Sequence, residues 1–142
     1  MTTDHPLDVP GPEAIQRLLR AARTIAVVGL SDKPDRDSYK VAAYLQRVGY
    51  RIFPVNPALE QVLGEKCYPS LRDLPQPVDI VDIFRRADAV PPIVEEAIAC
   101  GAGCVWMQLG IRHDEAARRA RDAGLSVVMD RCILIDHMAM PT

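Results

Sequence analysis

The sequence predicts an α/β fold: a doubly wound, five-stranded parallel sheet in the order 3-2-1-4-5, with helices on both faces. Two observations predict it. Five short apolar runs alternate with segments whose apolar residues recur at helical spacing. The runs are close to continuous rather than alternating apolar with polar, the pattern of strands covered on both faces. Parallel neighbours then need crossover connections, and those are right-handed. The 142 residues, 49% of them apolar, suffice for one domain with a full core and no disulfide or metal staple. One domain is therefore expected over 1–142, with its core at about 24–132 and a short C-terminal tail.

Pro12 suits the first turn of a helix, and Ala14, Ile15, Leu18, Leu19 and Ala22 share one face of a lead-in helix over 12–22. Residues 24–30, ending in Gly29-Leu30, make the first strand. Val41, Ala42, Leu45 and Val48 give a helical face closed by Gly49, and 50–55 is the second strand. The connection 56–77 is interrupted by Pro and Gly and carries a helical turn at 70–74. The third strand is 78–84. Val90, Ile93, Val94, Ala97 and Ile98 form a helix capped by Gly101, and 104–109 is the fourth strand. Asp114 is expected to cap a helix running through Ala116, Ala117, Ala120 and Ala123 to Gly124, before the fifth strand at 125–129.

Composition excludes several functions. Seventeen Lys and Arg against nineteen Asp and Glu, a net charge of −2, give no basic excess for nucleic acid. The start, 1–11, is polar with Asp4 and Asp8 and lacks the basic and apolar regions of a signal peptide. No apolar run approaches the roughly 18 residues of a membrane span. Cys67, Cys100, Cys104 and Cys132 lack CxxC spacing and His5, His113 and His137 are scattered, which argues for reduced thiols in a cytoplasm and against a metal site. Asp79 and Asp82, three apart on a strand, face opposite sides and form no carboxylate dyad. Cys132 follows a strand, where an activated thiol could sit, but it has no assignable His partner and reads as a small buried apolar residue. His113 and His137 read as surface residues, and Arg118, Arg119 and Arg121 as one solvated helix face. No catalytic residue is assigned.

In such sheets ligands bind beyond the carboxyl ends of the strands where strand order reverses, here expected between the first and fourth strands. The rim segments are 29–40, 55–57, 84–86, 107–110 and 130–132. The first loop joins a buried strand to a helix start, a natural phosphate site: Gly29 permits close backbone approach, Ser31 offers a hydroxyl, and Lys33, Arg36 and Lys40 add cations. The loop is not Gly-x-Gly-x-x-Gly, and the second strand ends in Asn56-Pro57 rather than an acid for a ribose hydroxyl, which disfavours NAD. NADP and the 3′-phosphorylated adenosine of coenzyme A both remain open. Asn56-Pro57 either fixes a turn beside a base or only ends the strand. Phe84 and Arg85 present an aromatic and a guanidinium plane at the third strand's end. Trp106 and Met107 point to opposite faces beneath helices, and Gln108 is placed to orient a ligand amide.

With Gly29-Leu30-Ser31 after the first strand, Pro54-Val55-Asn56-Pro57 after the second, Val81-Asp82-Ile83-Phe84, Val105-Trp106-Met107-Gln108 and Asp130-Arg131-Cys132, the sequence resembles the stand-alone bacterial coenzyme A-binding-domain proteins. The resemblance runs over about 24–132 and extends to the N-terminal domain of the succinyl-coenzyme A synthetase alpha subunit. It implies a Rossmann-like fold with coenzyme A or an acyl-coenzyme A as ligand. It implies that Gly29, Leu30 and Ser31 meet the diphosphate, that Val55, Asn56 and Pro57 flank the adenosine, and that Met107 and Gln108 line the pantetheine path. Phe84 and Arg85 stand at the matching strand end; Lys33, Arg36 and Lys40 are added on charge. The synthetase has a Gly-richer first loop and carries its phosphohistidine in a second domain, so the expectation is binding without ligase chemistry. Two alternatives stand beside it: an NADP-dependent reductase or a subunit of one, and a ligand-sensing interaction module.

Overall fold

A computed structural model describes residues 10–141. The segment 1–9, with Asp4, His5 and Asp8, lies outside the described residues. In chain order the elements are α1 (Pro12–Ala21), β1 (Thr24–Val28), α2 (Asp37–Arg47), β2 (Arg51–Val55), β3 (Gln61–Val62), β4 (Glu65–Lys66), β5 (Ile80–Ile83), α3 (Val90–Ala99), β6 (Cys104–Met107), α4 (Asp114–Asp122), β7 (Ser126–Val128) and α5 (Ile133–Met138). Single 3-10 turns at Leu71–Asp73 and Ala87–Ala89 precede β5 and α3.

The five expected strands are β1, β2, β5, β6 and β7, and all pair in parallel. Their order is β2-β1-β5-β6-β7. Counted over the five main strands this is 2-1-3-4-5, which corrects the expected 3-2-1-4-5. The connection after β2 explains the difference. It contains no α-helix; instead β3 and β4 form a hairpin whose Leu63-Gly64 turn has positive φ at both residues. The chain then returns along the outer edge of β2, where Tyr68 N–H donates to the Pro54 carbonyl and Asn56 N–H to the Tyr68 carbonyl, both at 2.9 Å. With that edge taken, the third main strand pairs on the free side of β1, setting Ile25 against Ile80 and Val28 against Ile83. Strand order therefore reverses between β1 and β5, the point at which such sheets bind ligands.

Alternation along each strand divides the core in two. Ala26, Val28, Val81, Ile83, Val105 and Met107 pack beneath α3 and α4, whose Val94, Ala97, Ala117 and Ala120 are fully buried. Ile25, Val27, Ile52, Ile80, Trp106 and Val128 pack against Ile15, Leu19, Leu45 and Ile133 of α1, α2 and α5. Trp106 and Met107 thus point to opposite faces as expected. The Trp106 indole N–H donates to the Arg131 carbonyl at 2.8 Å. The cap of α4 differs from expectation. His113 is in extended conformation and its Nδ1 accepts from Ala116 N–H at 3.0 Å, while Asp114, one residue later, is within the first turn and pairs with Arg112 at 2.8 Å.

One core residue is out of character. Asp82, between Val27 and Trp106 in the register, is fully buried, and neither carboxylate oxygen has a hydrogen-bond partner among the described residues. Burial pushes its carboxyl well above the usual range. Burial, and then the Asp82 charge, push the nearby Cys104 thiol up to about 12.

Candidate functional site at the carboxyl ends of the strands

The site is built from the loop between β1 and α2. Gly29 has φ +85°, and its N–H donates to the Val55 carbonyl at 2.9 Å. A Cβ here would sit 2.5 Å from the Phe84 carbonyl oxygen and 2.9 Å from Arg85 Cδ, so the elbow rests directly on the end of β5 and only glycine fits. Leu30 is fully buried and anchors the loop in the core. Asn56 clasps it from behind: its Nδ2 donates to the Leu30 carbonyl at 3.0 Å, and its Oδ1 accepts from Ala58 N–H at 2.9 Å. Ser31 N–H donates to the buried Ser38 hydroxyl at 3.0 Å, and Ser31 Oγ accepts from Lys33 N–H at 3.1 Å. The loop is therefore shaped by its own hydrogen bonds before any ligand arrives.

Three hollows surround this elbow. A polar one of about 460 Å³ is bordered by Gly29, Ser31, Lys33, Arg36 and Ser38. The start of α2 lies in its wall, and first-turn N–H groups of a helix have no intrahelical partner. Asp35 and Asp37 also stand there, so cations and carboxylates are interleaved. A larger, mostly apolar cleft of about 840 Å³ adjoins it, with Lys40, Phe84, Arg85 and Gln108 among its walls. A third, of about 260 Å³, includes Val55, Pro57 and Arg85. Phe84 borders the first two and Arg85 the last two, so the end of β5 is the partition they share.

The structure thus brings Gly29, Ser31, Lys33, Arg36, Lys40, Val55, Pro57, Phe84, Arg85 and Gln108 around one rim. Leu30, Asn56 and Met107 border none of these hollows: Leu30 and Met107 are sealed in the core and Asn56 serves the loop. Gln108 is only 5% exposed. Its Oε1 accepts from Ile133 N–H at 3.0 Å, its amide nitrogen has no partner among the described residues, and the residue borders the cleft.

Sequence reasoning put 107–110 and 130–132 on the rim but missed the part of the cleft's outer wall that Ile111 and α5 supply. Leu109 and Ile135 are 65% and 58% exposed, and together with Ile111, Cys132 and Leu134 they give it an apolar lip. The signal was Ile133-Leu134-Ile135, which looked like tail because α5 has six residues. Cys132 is half-buried and borders the cleft, rather than being packed away as the small buried apolar residue expected. The segment carrying it is held firmly. Asp130 is left-handed at φ +58°; its Oδ1 accepts from Gly110 N–H at 2.6 Å and its N–H donates to the Ile111 carbonyl at 3.1 Å. Arg131 pairs with both oxygens of Asp136 at 2.7 Å. His137 is likewise not a simple surface residue. Its Nδ1 lies 2.6 Å from the Tyr44 hydroxyl, and burial lowers its pKa.

A further hollow of about 450 Å³ opens at the amino ends of the strands, beside Ala14, Leu18, Asp79 and Ser126. Asp79 is committed to structure there: burial raises its pKa, but hydrogen bonds from Arg23 N–H (2.7 Å) and from Thr24 outweigh it and hold the carboxyl low. Among the described residues no group of three or more His, Cys, Asp or Glu could hold a metal ion. No described helix is long and apolar enough to cross a membrane.

A parallel sheet reversing at β1 and β5, a glycine elbow at that point and adjoining polar and apolar hollows define an α/β domain of the Rossmann-like, nucleotide-cofactor-binding kind. Comparison with known proteins gives the particular family: the chain belongs to the CoA binding domain family, matched over residues 23–138. It is 41% identical over 128 residues to the uncharacterized protein YneT of Bacillus subtilis, spanning 90% of this chain and 95% of that one. A solved structure of a hypothetical protein from Pyrococcus horikoshii superposes with a TM-score of 0.89 at 41% identity, covering 97% of each chain. An ADP-forming acetate–CoA ligase of Archaeoglobus fulgidus is 33% identical over 95 residues, 65% of this chain but only 14% of the ligase. The chain therefore corresponds to a small portion of the ligase and to nearly the whole of YneT.

Proposed function

We propose that this protein holds coenzyme A or an acyl-coenzyme A at the carboxyl ends of β1, β2, β5 and β6, in the cytoplasm, without catalysing a reaction of its own. Its partner on this reading is a small molecule rather than nucleic acid or membrane. The observation that carries the reading is the Gly29 elbow, which sets a polar hollow directly against a larger apolar cleft with the end of β5 as their common wall. That pairing suits a ligand with phosphates at one end and a long, sparsely polar arm at the other. The diphosphate would lie on the backbone of Gly29, Leu30 and Ser31 with Lys33 and Arg36 beside it, and the adenosine toward Val55, Asn56 and Pro57. Phe84, Arg85 and Lys40 would flank the turn into the cleft. Beyond it, the Gln108 amide nitrogen, with no partner among the described residues, would donate to a pantetheine carbonyl, over a wall backed from the core by Met107. The two histidines among the described residues are engaged elsewhere: His113 caps α4 and His137 is bonded to Tyr44.

Titration calorimetry in low-salt, reducing buffer tests this. Saturable binding of coenzyme A, tighter than that of NADPH, is expected. No saturable heat with coenzyme A at concentrations of about 1 mM, where binding energies are only ~4 kcal/mol, refutes it. Tighter binding of NADPH would favour a reductase instead.

A further inference from the structure

Cys132 and Gln108 border the same apolar cleft, and a hydrogen bond from Ile133 N–H, next in the chain to Cys132, to Gln108 Oε1 ties the two together. Resting on the coenzyme A reading above, we propose that Cys132 is a thiol–disulfide exchange site that takes one coenzyme A from a coenzyme A disulfide and stores it as a mixed disulfide. Two independent features converge on the position. Gln108 is nine-tenths buried and borders the cleft, yet its amide nitrogen has no partner among the described residues, which leaves a donor free for a carbonyl. A pantetheine arm carries amide carbonyls and ends in sulfur, so an arm anchored at Gln108 ends near the thiol that borders the same wall.

The other cysteines lack this setting. Cys67 and Cys104 are buried, and Cys100 ends α3 away from these hollows. The segment around Cys132, with Asp130 left-handed, is stitched to the end of β6 and the loop after it: Arg131 N–H donates to the Met107 carbonyl, Asp130 N–H to the Ile111 carbonyl and Ile133 N–H to Gln108 Oε1. Backbone strain held in place by surrounding bonds at a cleft is a recurrent mark of a working site. At the outer lip, Leu109 and Ile135 face solvent, leaving the leaving group a way out.

The step balances without an external oxidant. The Cys132 thiol loses its proton, and the thiolate attacks one sulfur of the coenzyme A disulfide. That S–S bond breaks as the Cys132–coenzyme A bond forms, and the second coenzyme A departs as a thiolate and takes up the proton. One disulfide is consumed and one is made.

The test uses the full-length reduced protein, desalted and exposed either to coenzyme A disulfide or to oxidised glutathione, with intact mass and peptide mapping after acid quench. The expected result is a single coenzyme A adduct at Cys132, released by dithiothreitol. Because binding presents the disulfide to the thiol, it should form at least about tenfold faster than the glutathione adduct. Cys132→Ser and Cys132→Ala should form no adduct and Cys100→Ser should form it normally, while Gln108→Leu should slow the coenzyme A reaction but not the glutathione one. Equal rates with both disulfides, or an adduct at Cys100, overturn the proposal. So does no adduct in a protein that binds reduced coenzyme A reversibly by calorimetry, an outcome that leaves the binding reading standing. Failure of reversible binding removes both.

Discussion

Replacing Gly29 by Ala tests whether the elbow rests on β5, and Gly110→Ala supplies the control. Both glycines have φ +85°, so both substitutions incur the same backbone penalty, about 1 kcal/mol for an L-residue in left-handed space. They differ only in what the new methyl meets. At Gly110 there is nothing within 4 Å, whereas at Gly29 the Cβ would stand 2.5 Å from a backbone carbonyl oxygen. That oxygen ends a central strand paired on both sides, so it cannot yield as a flexible side chain would. Overpacking of this kind costs about 1–3 kcal/mol more. Urea unfolding followed by circular dichroism should therefore place Gly29→Ala about 1–3 kcal/mol below Gly110→Ala with an unchanged m-value. Coenzyme A affinity should also fall in Gly29→Ala, because the displaced elbow carries the phosphate-facing backbone. Equal stability of the two variants would refute the contact on which the site is built.

The fully buried Asp82 makes stability depend on pH. Its raised pKa means that the folded protein keeps a proton which the unfolded chain releases above about pH 4, so stability falls as pH rises from there toward the folded pKa, by at most about 1.4 kcal/mol per unit. Asp82→Asn should flatten that slope between pH 5 and 7, and parallel urea midpoints for the two proteins would contradict it. Asn56→Ala loses its bonds with Leu30 and Ala58 and should cost about 1–2 kcal/mol in thermal unfolding and weaken coenzyme A binding; unchanged affinity would show that the clasp does not shape the loop. Lys40→Ala, on the cleft wall, should weaken coenzyme A binding by about 0.5–2 kcal/mol, with a smaller difference at high salt, and a salt-independent loss would argue against a phosphate partner.

The strands and helices were legible because their signals are local. Ile25 to Val28 is a continuous buried run, and Val41 with Leu45 marks a helix face within a single window. Strand order was not legible, because it turns on Tyr68 in a Pro- and Gly-broken segment whose two-residue strands have no period to read. The site showed the same division. Gly29 stood out at a strand end, but the reason no other residue fits there is Phe84, fifty-odd positions away and adjacent only once β5 pairs with β1. Motif matching put Met107 in the ligand path, although alternation with Trp106 already sends its side chain into the core. His113 supplied the cap expected of Asp114, since an imidazole nitrogen accepts an N–H as a carboxylate does.

Amide chemical-shift mapping of the isotope-labelled, reduced protein during titration with coenzyme A tests the central claim most directly. Saturable shifts are expected to cluster at residues 29–40, 55–58, 84–86, 108–111 and 131–135, with Ala14, Leu18 and Ser126 at the amino ends silent. Shifts confined to that amino-end hollow, or no shifts at saturating ligand, would contradict it.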